Sequence, residues 1–184
     1  MNNSDENIVY LNDAEPMDTV EQTLSENPYE IASDRVKELV DVLGPRKDLP
    51  PGFLDDPFVL GFLFWCAHAH FAASGMEDDD YSVVPEIFDG AFGDEGPAIS
   101  ARAAKLREDG EPSFLLGVEN GKKYFSTLDG SDEYESDSVV AQALSRADEV
   151  IAQETDEYSC KAANALFVAL YEALFLDVLR VRYS

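Results

Sequence analysis

Basic residues are scarce in this 184-residue chain: 13 Lys and Arg stand against 38 Asp and Glu, for a formal net charge of −25. A field of that sign repels phosphate, which excludes direct binding to nucleic acid or adhesion to an anionic membrane as the favoured function. Cysteine is nearly absent as well. Cys66 and Cys160 both fall in apolar, helix-like runs without paired spacing, and nothing ahead of them reads as a signal peptide, so the sequence predicts reduced thiols in a cytoplasmic protein. Long apolar runs are missing too. The nearest approach, Phe58 to Ala73, is interrupted by His68 and His70 and is shorter than the ~20 residues a spanning helix requires.

Several catalytic signatures are absent. There is no Gly-x-Ser-x-Gly elbow and no His-Glu-x-x-His pair. The stretch "GVENGKK" has only three residues between Gly117 and Gly121 and carries Lys123 where a phosphate loop has Ser or Thr. Carboxylates are so numerous that no two of them stand out as a general acid and base. The acidic loop Asp78, Asp80, Ser82, Glu86, Asp89 has the spacing of calcium ligands, but Val83 stands where the sharp turn needs Gly and Pro85 intrudes. No cofactor is called for, and the reading is non-enzymatic.

What is present is helical. Asn27 and Pro28 form a cap-plus-proline entry with Glu30 placed to complete a capping box, and Ala32, Val36, Leu39, Val40 and Leu43 follow as one stripe before Gly44-Pro45. Asp56-Pro57 repeats the entry for a second helix ending at Ser74-Gly75. Val84 to Phe92 and then "GPAISARAAKLREDG" give two shorter helices, the latter on the surface. Asn120-Gly121 is a hairpin signal. Yet Phe114, Val118, Gly121, Phe125 and Leu128 recur at helical spacing, and the helix is the better reading. Asp137 caps a helix with the stripe Val140, Ala143, Leu144, Ala147, Val150, Ile151, and a last apolar helix runs from about Ser159 to Val181. The expected fold is all-α: a single-domain, irregular bundle of about six to seven helices with an apolar C-terminal helix at its centre, without internal repeat. Residues 1–26 form an acidic N-terminal arm and residues 27–184 the helical domain.

Charge and function are linked through segregation. Residues 1–30 hold eight carboxylates and residues 48–101 eleven, with no Lys or Arg in either stretch. Solubility alone, or a saline habitat, would produce the same acidity. The alternative use is recognition of a basic partner protein, in the manner of an inhibitor, an immunity-type antidote, a DNA mimic or a chaperone, through Glu77, Asp78, Asp79, Asp80, Asp94 and Glu95. A second reading is metal-dependent: Cys66 and His70 lie four apart on one helix face, with Glu77 to Asp80 or Glu86 as further ligands. In its bland form the same pair is a small core residue and a helix-end histidine, whose imidazolium the helix terminus and the following "EDDD" would favour. A third reading is a structural homo-oligomer, in which the basic islands "RAAKLR" and Lys122-Lys123 meet acidic segments.

Overall fold

The computed structural model describes residues 27–45, 48–76, 81–130, 132–134, 136–153 and 158–184, with backbone alone at 132, 153 and 158–163. The arm 1–26 and the loop 77–80 therefore lie outside the described residues. The chain forms α1 (Pro28–Asp41), α2 (Pro57–Ala73), α3 (Val84–Phe92), α4 (Gly96–Glu108), α5 (Pro112–Leu128), α6 (Ser138–Gln153) and α7 (Tyr158–Tyr171). A π-helical turn (Glu172–Leu176) then leads into α8 (Asp177–Arg182). Among the described residues there is no strand.

Helix entries are set locally. The Asn27 Oδ1 accepts from the Tyr29 amide at 3.1 Å, Asp56 from the Phe58 and Val59 amides at 2.8 and 3.3 Å, and Asp137 from Val139 and Val140 at 2.9 and 3.2 Å. Each removes one or two of the orphan donors that open a helix, worth about 1 kcal/mol. α5 is capped by Glu111, whose Oε2 accepts from Phe114 at 2.6 Å. Exits use glycine: Gly75 and Gly93 take φ of 79° and 59°, where a Cβ would be strained.

The bundle is organised around α2 and α5. Every residue from Phe58 to Phe64 is buried, so α2 has no solvent face over two turns. Gly61 lies against Phe114, Gly121 against Phe62 and Trp65, and the His70 and Phe125 rings meet at 5.1 Å. The contacts advance in step, so α2 and α5 run parallel, with α3 and α4 carrying the chain back between them. The approach is reciprocal. Phe58-Val-Leu-Gly61 and Phe114-Leu-Leu-Gly117 press on each other so closely that a Cβ on Gly61 would stand 2.0 Å from the Phe114 carbonyl oxygen. One on Gly117 would stand 2.1 Å from that of Phe58. The glycine hydrogens that replace Cβ point at those oxygens, a geometry suited to weak C–H···O contacts.

α7, the π turn and α8 close the core from the other side. Leu170, Tyr171, Leu174 and Phe175 are buried, and Phe175 packs on Phe62 with ring centroids 4.6 Å apart and on Tyr171 at 5.1 Å. Burying each such side chain contributes about 1.5–3 kcal/mol. Two polar braces pin this segment. Asn120 Nδ2 donates to the Leu174 carbonyl inside the π turn at 2.7 Å. The Tyr171 hydroxyl donates to the Leu39 carbonyl, in the last turn of α1, where the helix leaves acceptors unpaired. α1, α3 and α4 pack along the remaining flank of α2, where Ser33 Oγ donates to the Ile87 carbonyl at 3.0 Å.

Candidate functional site

Of the six acidic residues nominated for partner binding, Glu77, Asp78, Asp79 and Asp80 lie outside the described residues. The structure places Asp94 and Glu95 together on the rim of a cleft of about 630 Å³. One wall is the stiff Pro50-Pro51-Gly52 turn, where Gly52 has φ 77°, followed by a 3₁₀ turn at Phe53–Asp55. The other is the start of α4, which a second 3₁₀ turn at Gly93–Glu95 feeds directly. Phe53 and Ile99, both 4% exposed, form the floor with Leu49, Leu54 and Ala98 around them. Asp55, Asp94 and Glu95 stand at the rim, against a single guanidinium, that of Arg102, which is ion-paired with Asp55. An apolar base under a net negative rim suits a side chain with an apolar stem and a cationic head.

The sequence nominated Asp94 and Glu95 by charge alone and did not single out Phe53, Asp55 and Arg102, which line the same cleft. The signal for Phe53 and Asp55 was the run "LPPGFLDD", in which a rigid turn presents two large apolar residues and two acids, whereas Arg102 lies far along the chain in α4.

Cys66 and His70 occupy different surroundings from those a metal site needs. Cys66 is a free thiol with no exposure at all, and burial pushes its pKa far above the ordinary thiol value. His70 is half-buried against Phe125. Burial lowers its pKa to about 4, with Arg35 adding to the effect and Glu38 opposing it. The expected imidazolium is thus corrected to a neutral ring: loss of water outweighs the attraction of the helix terminus and the nearby acids. Glu86 lies on the exposed side of α3, lining a separate surface depression with Asn27, Tyr29 and Asp34. Among the described residues no group of three or more His, Cys, Asp or Glu is arranged to hold a metal ion. Glu86 and Asp89, two of the residues with calcium-like spacing, lie within α3 rather than in a loop.

His68 and Trp65 face Tyr81, which adopts a positive φ of 64°. The Arg107 guanidinium lies 5.0 Å from the Tyr81 ring centre and Lys122 Nζ 4.9 Å from that of Trp65. The basic islands of the sequence thus cover aromatic faces, a contact worth about 0.5–1 kcal/mol at exposed sites.

The fold and cleft define an acidic, all-helical protein with an apolar-floored, acid-rimmed depression. No helix among the described residues is long and apolar enough to cross a membrane. Against protein-family models, curated proteins and solved structures, the chain matches none.

Proposed function

We propose that this chain is a non-enzymatic binding protein of the cytoplasm, whose acidic exterior engages a basic partner protein with Asp94 and Glu95 at the point of recognition. One observation supports the reading above the others: the cleft between the 49–55 turn and α4 combines a buried apolar floor with three carboxylates and, among its described lining residues, one base, already engaged by Asp55. A negative field over such a cleft accelerates encounter with a cationic surface and rejects acidic competitors, while the floor supplies short-range affinity. Asp94 is exposed and makes no ion pair among the described residues, which supports its availability to a partner. The competing use of Cys66 as a metal ligand or nucleophile would require a thiolate where burial strongly disfavours one.

The test is affinity capture from the native cell at low salt with elution at rising salt, followed by rate measurements on the captured protein. The association rate is expected to fall steeply with ionic strength and to drop for Asp94→Asn combined with Glu95→Gln, while dissociation changes little. Association that ignores salt and both substitutions would refute the proposal.

A further inference from the structure

α6 sits at the edge of the bundle. Its inner stripe, Val140, Ala143 and Ala147, is buried, and it packs chiefly against α7 and the π turn. Between α6 and α7 runs an outward groove of about 350 Å³ lined mostly by apolar atoms. Val150 and Val168 flank it at 49% and 50% exposure, with Ala165 and Ala169 between them. Among the described residues its lining carries one base, Arg146, and one acid, Glu172. In a chain where acids outnumber bases 38 to 13, the described lining of this apolar groove is charge-balanced.

We propose that this face pairs with the same face of a second copy, hairpin on hairpin, to form a four-helix contact across a twofold axis parallel to α6 and α7. Two observations select this occupant. First, two molecules of net charge −25 repel, so self-association is favoured at a face whose own charges balance, and the described lining of the groove does so. Second, the residual charges are self-complementary. Arg146 of α6 and Glu172, at the start of the π turn that continues α7, line the same groove from opposite sides. A twofold parallel to the helices lays α6 of one copy over α7 of the other at the same level, which sets Arg146 of each copy opposite Glu172 of its mate. Arg146 pairs loosely with Asp177, at 4.0 Å, with both side chains about half exposed. Val150 of one copy then meets Ala165 and Val168 of the other, the small-and-branched packing that lets helices approach closely.

Sedimentation of the full chain tests this, from about 1 μM to about 1 mM protein, at about 50 mM and about 500 mM NaCl, a range over which the screening length falls severalfold. A reversible dimer is expected whose association strengthens with salt, because screening removes net repulsion while the apolar contact persists. Val168→Glu and Val150→Glu should each weaken it by about tenfold or more, since a carboxylate cannot enter that contact unpaired. Both positions are half exposed, so circular dichroism and the melting curve should hold. Arg146→Glu should weaken the dimer, and adding Glu172→Arg should restore it. A monomer at every concentration overturns the proposal, whether the face stays bare or is taken by the chain's own N-terminal stretch. So does a dimer indifferent to both valine substitutions, or one that weakens as salt rises.

Discussion

The reciprocal approach of α2 and α5 sets a measurable cost for a single methyl group. Placing Cβ on Gly61 or Gly117 puts it 2.0 or 2.1 Å from a backbone oxygen. Carbon and oxygen settle at about 3.3 Å, so the helices must part by roughly 1.2 Å. A gap of that size forfeits about half of each dispersion contact along the seam, and overpacking of this kind costs about 3 kcal/mol at the upper end of its usual range. Alanine recovers about 1 kcal/mol through its better helix propensity. Gly61→Ala and Gly117→Ala are therefore each expected to destabilise by about 2 kcal/mol, moving the urea midpoint down by about 1 M for a slope near 2 kcal/mol/M. Gly121→Ala is the internal control. There the nearest atoms are Trp65 Cβ at 3.0 Å and the Phe62 carbonyl at 3.1 Å, a clash relieved by a shift of a few tenths of an ångström, so its effect should be small. One parting of the helices also relieves both clashes, so the Gly61→Ala, Gly117→Ala double variant should cost clearly less than the sum. Urea titration followed by circular dichroism reads all four. Single substitutions that stabilise the protein, as at an open helical position, or strict additivity in the double, would refute the close reciprocal crossing.

Three further outcomes follow from buried polar groups. His70 has a folded pKa of about 4 against an ordinary 6.5, so the unfolded chain takes up this proton first. Its share of stability is whole above pH 6.5 and is lost as pH falls from 6.5 to 4, by at most about 3 kcal/mol. His70→Gln should flatten that part of the wild-type pH profile of the urea midpoint, and an unchanged slope would contradict the buried neutral ring. Asn120→Leu removes the donor to the Leu174 carbonyl and should cost about 1–3 kcal/mol, with faster amide exchange through 172–177 than in the wild type. Loss of stability without any change of exchange there would argue against the brace. In a Cys160→Ser background, Cys66 should react with a thiol reagent only at the rate of unfolding, because its thiol has no exposure. Rapid labelling of the native protein would show that the core opens locally.

Much of the helical framework was legible because its signals are local. Asn27-Pro28, Asp56-Pro57 and Asp137 act as caps where the sequence put them, and the apolar stripe of 112–128 prevailed over the Asn120-Gly121 turn signal. Asn120 supplies a buried hydrogen bond instead, a role that exists only once α5 meets the π turn. The π turn itself has no sequence mark, since its extra residue is stabilised by tertiary partners. Glu30 was expected to complete a capping box, yet among the described residues the side-chain cap of α1 is that of Asn27. The paired Phe-x-Leu-Gly tetrads were visible in the sequence, but each becomes meaningful only beside the other. At the candidate cleft, Asp94 and Glu95 were nominated by charge, whereas Phe53, Asp55 and Arg102 join them through a contact between the 53–55 turn and α4. The charge state of His70 went the other way because dehydration depends on packing that spacing does not encode.

The parallel seating of α2 on α5 also governs what happens while the polypeptide is being made. α2 is the greasiest stretch of the molecule, and its principal mate ends at Leu128, so at a synthesis rate of about 5–20 residues per second it waits on the order of 3–10 s for cover. During that interval the nascent product displays a sticky cylinder to the cell, and an mRNA broken before the codon for Leu128 yields a fragment unable to hide it. Quality control by chaperones, rather than intrinsic fragility of the finished molecule, should set its yield.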